Sequence, residues 1–177
     1  MALNNNLPYR QSIRMRHYDY RQPGIYFITI CTHQREPLFG EIIDERMHLN
    51  AAGRIVQSIW NTIPEHYSDV VMDKFVVMPD HFHGIIVIPE CTGTACRAPT
   101  IIAGFGKPIA NSIATIIRSF KSASTKSLNE LRNTPGMPLW QRNYWERIIR
   151  HDNELQAIRR YIQNNPVNWQ TINVKSA

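Results

Sequence analysis

Two histidines one residue apart, His81 and His83, sit in Met78-Pro-Asp-His-Phe-His-Gly-Ile-Ile-Val87. The stretch from His81 to Ile88 is apolar and β-branched, which reads as a strand. Side chains alternate across a strand, so both imidazoles fall on one face and Phe82 on the other. Two ring nitrogens so placed can share a metal ion. The same pattern also fits two surface histidines on an edge strand, and it fits a zinc enzyme. A second cluster lies near the C-terminus, Arg159-Arg-Tyr-Ile-Gln-Asn-Asn165-Pro166. On a helix, Tyr161 and Asn165 stand four residues apart and share a face. A tyrosine hydroxyl beside an amide oxygen suits a cation between them. Asn165 could then complete a shell with His81 and His83, and Tyr161 could attack a phosphate that the ion polarises. The structural alternative packs the tyrosine ring on the sheet and makes Asn165 a helix C-cap ahead of Pro166. Arg159 and Arg160 are then ordinary last-turn cations.

The elements that must position these residues follow from periodicity and punctuation. Ile25 to Thr32 reads as a central strand, and Leu38 to Leu49 as a second. Asn50 caps a helix that runs to about Ile63, just before Pro64. Val70–Met78 and His81–Ile88 are two strands turning at Pro79-Asp80. Residues 89–106 are rich in Gly, Thr, Ala and Pro and read as a flexible loop. A second helix is predicted over Lys107 to Leu131, a loop over Asn133 to Pro138, and a strand over Leu139 to Ile149. Asp152 caps a last helix, Asn153 to Asn164, which Pro166 closes. The order β-β-α-β-β-α-β-α is that of an α+β sandwich, with helices against an antiparallel sheet.

The chain is 177 residues with 20 Lys and Arg against 14 Asp and Glu. Its length suits one domain, residues 1–177; the first twenty residues lack the apolar region of a signal peptide, and no stretch approaches the length of a membrane-spanning helix. Three cysteines, an odd number, argue against a secreted disulfide framework and suit a reducing cytoplasm. Residues 1–99 carry 9 basic and 10 acidic side chains, whereas residues 100–177 carry 11 and 4. A basic arm, residues 1–23, holds Arg10, Arg14 and Arg16. Cations concentrated at the two ends of the chain suit phosphate backbones, or a solvated basic surface.

Several blocks together resemble the REP-associated tyrosine transposases, a branch of the single-tyrosine HUH transposases. They are Arg14–Tyr20, Tyr26–Thr32, Val77–Val87, Ser119–Ser122, Leu139–Glu146 and Tyr161–Pro166, in the order expected of that family. The resemblance covers about residues 14–169, and its His-hydrophobic-His is His81-Phe82-His83. It implies a ferredoxin-like core with both histidines on a central strand. It implies that Tyr161 is the nucleophile and that Asn165 fills the third metal-ligand position, beside Mg²⁺ or Mn²⁺. The expected activity is cleavage and rejoining of single-stranded DNA with imperfect, REP-like hairpins, through a 5′-phosphotyrosine link. Such proteins act as monomers, or as homodimers in which one subunit's tyrosine serves the other's histidines.

On that reading the arm cations, together with Arg118, Lys121, Lys126, Arg142, Arg147 and Arg150, are expected to contact DNA. Tyr144 and Trp145 could stack on unpaired bases or pack in the core. Gly104-Phe-Gly-Lys107 lacks the G-x-x-x-x-G-K-[ST] spacing of a phosphate loop, so Lys107 enters only as a further DNA-contacting cation. Cys91 and Cys96 have no second pair and make no zinc site. Two other readings stand beside the transposase. One is a DNA-binding protein of the same fold that binds repetitive palindromes without transposing; the other is a zinc hydrolase built on His81-x-His83.

Overall fold

A computed structural model describes residues 22–90 and 112–174, with side chains as far as Trp169. Among the described residues six strands form: β1 (Gly24–Cys31), β2 (Gly40–Ile43), β3 (Arg46–Leu49), β4 (Val71–Val77), β5 (His81–Ile88) and β6 (Trp145–Ile149). The helices are α1 (Ala51–Asn61), the single turn α2 (Ile63–His66), α3 (Ile113–Arg132) and α4 (Asp152–Val174). One antiparallel sheet has the order β4-β5-β1-β6, and β2 pairs with β3 apart from it. Without the β2–β3 hairpin, the single turn α2 and α4, the remaining helices and strands are β1-α1-β4-β5-α3-β6. That is the split βαβ repeat of a ferredoxin-like α+β sandwich. The expected fold class is therefore the observed one.

The two faces of the sheet carry different layers. Tyr26, Ile28, Ile30, Phe82 and Ile86 pack with Val56 and Trp60 of α1 and Ile116, Ile117 and Phe120 of α3. Phe27, Ile85 and Ile149 pack on the other face with Leu155, Ile158 and Ile162 of α4. Strand β5 is central and covered on both sides, so its residues from His81 to Ile86 are all buried. Gly84 lets the first layer close. A Cβ there would lie 2.4 Å from Trp60 Cζ2, and Trp60 packs at a tilt against Phe82, ring centres 4.4 Å apart.

Five sequence expectations are corrected. The strand expected over Leu38–Leu49 is a hairpin, because Asp44 and Glu45 both adopt positive φ and turn the chain back. The first helix stops at Asn61, and Pro64 sits at the start of the separate turn α2, where its missing N–H costs nothing. The helix expected from Lys107 starts at Ile113, where the Ser112 side chain accepts from the Thr115 N–H. The strand expected from Leu139 starts at Trp145. Before it, Trp140 makes an isolated bridge to Thr32 and sends its indole to Ser124, and Lys121 takes the carbonyls of Gln141 and Arg142. Finally, α4 does not stop at Asn164 but runs through Pro166 to Val174. The proline removes one backbone donor. Past it, Trp169 packs against His81, and α4 packs on the β2–β3 hairpin as well as on β4 and β6. Asn165 is thus inside a helix and is no C-cap.

Gly84→Ala should lower stability by about 1–3 kcal/mol, the usual range for forcing a methyl into a filled core. Urea unfolding measures it; a loss within 0.5 kcal/mol, roughly the scatter of a neutral surface change, would show that Trp60 can give way.

Candidate active site

The two imidazoles are 6% and 4% exposed, for His81 and His83 respectively. Their ring centres lie 4.6 Å apart on the α4 face of β5. Buried imidazoles need partners, and each finds one through Nδ1. The His81 Nδ1–H donates to Asp80 Oδ1 at 2.5 Å, and Asp80 Oδ2 accepts from Arg35 Nε at 3.0 Å. His83 Nδ1 bonds to Thr29 Oγ1 at 2.8 Å, across the β1–β5 pair. With both rings in the tautomer that puts the proton on Nδ1, both Nε2 lone pairs are free to accept. A carboxylate or hydroxyl behind a histidine, fixing its ring, is the usual support of a metal ligand.

Helix α4 supplies the rest. Leu155, Ile158, Ile162 and Asn165 follow at three- and four-residue spacing on its sheet-facing side, and all are buried. Asn165 is a polar residue in an apolar stripe. Tyr161, one turn before it, is 46% exposed and brings its hydroxyl to 3.3 Å from His83 Nε2. The tyrosine ring stands edge-on to Phe27, at 6.1 Å. Trp169, one turn after Asn165, lies 5.6 Å from the ring of His81. Asn165 therefore sits on the turn of α4 between the residue over His83 and the residue over His81. Arg159, on the neighbouring face, makes a bidentate pair with Asp73, its Nη2 2.5 Å from Oδ2. Asp73 lies where β4 breaks register with β5, and such an irregularity re-aims a side chain. The pair ties α4 to the sheet, so Arg159 has a positioning task of its own. All these groups meet within one chain.

Burial, then the charges of His81 and Arg35, push His83 down to about 3. It is therefore neutral near pH 7, the form that can donate a lone pair. Among the described residues no three His, Cys, Asp or Glu side chains gather around one point. A cation on the histidine pair thus needs a ligand of another type, and the buried amide of Asn165 suits a hard divalent ion. The residues present fit such a group.

The other sequence-derived cations are spread. Arg10, Arg14, Arg16 and Lys107 lie outside the described residues. Arg118 and Lys126 are exposed on α3, and Arg142 and Arg150 are exposed at the two ends of the β6 segment. Arg147 pairs with Glu154 at 2.6 Å. Burial lowers the Lys121 ammonium from its usual range, and it holds two backbone carbonyls. Tyr144 packs against the core, while Trp145 is open. Thr29, Asp80, Arg35 and Trp169 escaped the sequence reading as site residues. Of these, only Asp80 carried a usable signal: a carboxylate directly before a histidine pair is a ready second partner.

An unfolded histidine gains its proton as the pH falls through about 6.5, whereas folded His83 gains it only near 3. The unfolded state thus binds the extra proton between those values, and folding weakens as the pH drops through that window. In EDTA, stability should fall between pH 7.5 and pH 5, and His83→Gln should remove about 2 kcal/mol of that fall. Equal falls in both proteins, measured by urea unfolding, would contradict the assignment.

No protein-family model matches the chain. A Haemophilus influenzae protein of uncharacterised function is 41% identical over 94% of this chain and 93% of its own length. A second Haemophilus influenzae protein, provisionally named a REP-associated tyrosine transposase, is 26% identical over 84% of this chain and 73% of its own. Among solved structures, a REP-associated tyrosine transposase bound to a REP hairpin superposes with a TM-score of 0.59. It shares 20% identity, over 88% of this chain and 73% of that one, so it speaks for the fold. The chain thus shares the split βαβ fold of a solved REP-associated tyrosine transposase, and in sequence it is similar to a protein provisionally given that name.

Proposed function

We propose that the chain is a metal-dependent DNA strand transferase, which nicks and rejoins single-stranded DNA carrying imperfect hairpins. One observation carries the reading: the Tyr161 hydroxyl lies 3.3 Å from Nε2 of a buried, neutral histidine, beside a second histidine held the same way. A relative of the same fold was solved on a REP hairpin, which supports hairpin DNA as the substrate class.

His81, His83 and Asn165 would hold Mg²⁺ or Mn²⁺, which supplies Lewis-acid polarisation of the scissile phosphate when bound. Imidazole ligands favour Mn²⁺, and abundance favours Mg²⁺. Asp80 and Thr29 keep both imidazoles turned so that Nε2 faces α4. The Tyr161 oxygen attacks phosphorus, the P–O3′ bond breaks, and the proton that the phenol gives up passes by way of solvent to the departing oxygen, which leaves as a free 3′-OH. One phosphate ester replaces another, so a later attack by a 3′-OH rejoins the strand without ATP. Phe27, edge-on to the ring, and the buried stripe of α4 hold the phenol in place. Such positioning is worth a large share of a barrier when nucleophile and target are already aligned. The exposed Arg118, Lys126, Arg142 and Arg150, and cations of the N-terminal arm, would meet the DNA backbone. The tyrosine meets the histidine of its own chain, which supports a site completed within one copy.

With Mn²⁺ and a hairpin oligonucleotide, the protein should form an adduct that survives SDS. Tyr161→Phe should lower adduct formation by at least about a thousandfold, as expected for a lost nucleophile. An adduct at undiminished yield would refute the assignment. A protein that only binds palindromes would retain the hairpin and give no adduct. Separately, Asp80→Asn should weaken Mn²⁺ binding about 10- to 100-fold in calorimetry, whereas unchanged affinity would remove Asp80 from the site.

A further inference from the structure

We infer that Trp145 is a stacking platform for the unpaired base of a nucleotide next to the scissile phosphate. The inference rests on the reading that single-stranded DNA is cut at Tyr161, and it adds a second contact point to that site.

Strand register aligns the indole with the histidine pair. Thr29 of β1 is the direct partner of His83 on β5 and of Trp145 on β6. Residues directly opposite on adjacent strands share a face. His83, Thr29 and Trp145 thus form one row across the sheet, on the face that carries Tyr161. The row is tied at its inner end by the bond between Thr29 Oγ1 and His83 Nδ1. Trp145 stands two strand spacings from His83, roughly 10 Å, a reach that neighbouring nucleotides of an extended strand can span.

Along β6 the same face changes character. Ile149, opposite Ile25, is buried with Leu155 and Ile158 of α4. Arg147, opposite Phe27, is paired with Glu154 at the start of α4. Trp145 comes last on that face and is 55% exposed. Its neighbour Tyr144 packs against the core. Burial of a large aromatic is normally favourable by a few kcal/mol, and here the indole forgoes much of it. Strand β6 is also an edge of the sheet, so a ligand can approach the indole from the side as well as from above.

The surroundings choose the occupant. Arg142, Arg147 and Arg150 are all exposed on the same segment. Exposed on a segment that carries these cations, the indole suits a flat ring on an anionic backbone. Stacking of a base on an aromatic ring is tolerant of sequence, so Trp145 would hold the strand in place and leave base identity to other contacts.

The test uses a fluorescein-labelled hairpin oligonucleotide with an oligo-dT flank on each side, read by anisotropy with the full chain. An exposed side chain can be replaced without unfolding the protein, which circular dichroism checks. Trp145→Ala should weaken binding about 5- to 150-fold, and Trp145→Phe should restore most of the loss. A series of single abasic sites along the flanks should contain one position that weakens the wild type by a similar factor and leaves Trp145→Ala unaffected. Binding by Trp145→Ala within twofold of the wild type would overturn the inference, as would abasic losses identical in the two proteins at every position. Adduct formation by the wild type on the same oligonucleotide separates the two levels. If the wild type forms no adduct, the cleavage reading fails and this inference with it. If it does and Trp145→Ala binds normally, only the inference fails.

Discussion

Burying two imidazoles on a central strand obliges the fold to satisfy them, and the rest of the site follows from how that is done. Each ring bonds through Nδ1, to Asp80 in one case and to Thr29 in the other. Each therefore turns Nε2 toward α4. A buried polar group without a partner would cost roughly 1–3 kcal/mol, so these bonds stabilise the strand and orient the rings at once. Arg35 extends the first of them through the Asp80 carboxylate. The residues that support the rings come from β1 and from the two connections that flank it and β5, which makes the central pair of strands the frame of the site.

The second requirement is a helix on the otherwise open face of the sheet. A ferredoxin-like repeat covers one face with α1 and α3 and leaves the other bare. Here α4 covers it with Leu155, Ile158 and Ile162, and continues the same stripe into Asn165 and Trp169. The apolar part of the stripe anchors the helix, and the Arg159–Asp73 pair adds a polar tie. Tyr161, just off the stripe, is left half exposed above His83. The helix backbone is thus fixed while the phenol stays open to solvent, a combination that would suit the proposed attack on a polymer.

Much of this was legible in the sequence, for identifiable reasons. Period two on β5 puts His81 and His83 on one face whatever the rest of the fold does, and a four-residue step puts Asn165 one turn from Tyr161. The order of elements gave an α+β sandwich, and the structure has one. Less legible were features set by tertiary contact. Nothing local marks Thr29 as the partner of His83, because register between β1 and β5 brings them together. Pro166 reads as a stop, yet the packing of Trp169 and of the β2–β3 hairpin carries the helix past it. The tight turn at Asp44-Glu45 sets both residues at positive φ, which Asp adopts more readily than most side chains but Glu seldom does, so a hairpin looked like one strand. Trp145 and Tyr144 are indistinguishable by type, and only alternation across an edge strand decides which of them is open.

The central claim is that Tyr161 becomes covalently joined to DNA. The direct measurement is mass spectrometry of the protein after incubation with Mn²⁺ and a hairpin oligonucleotide, followed by nuclease and protease digestion. The peptide containing Tyr161 is expected to carry a nucleotide through its 5′-phosphate. A nucleotide on any other residue, or an unmodified Tyr161 peptide from a reaction in which the DNA has been cut, would contradict it.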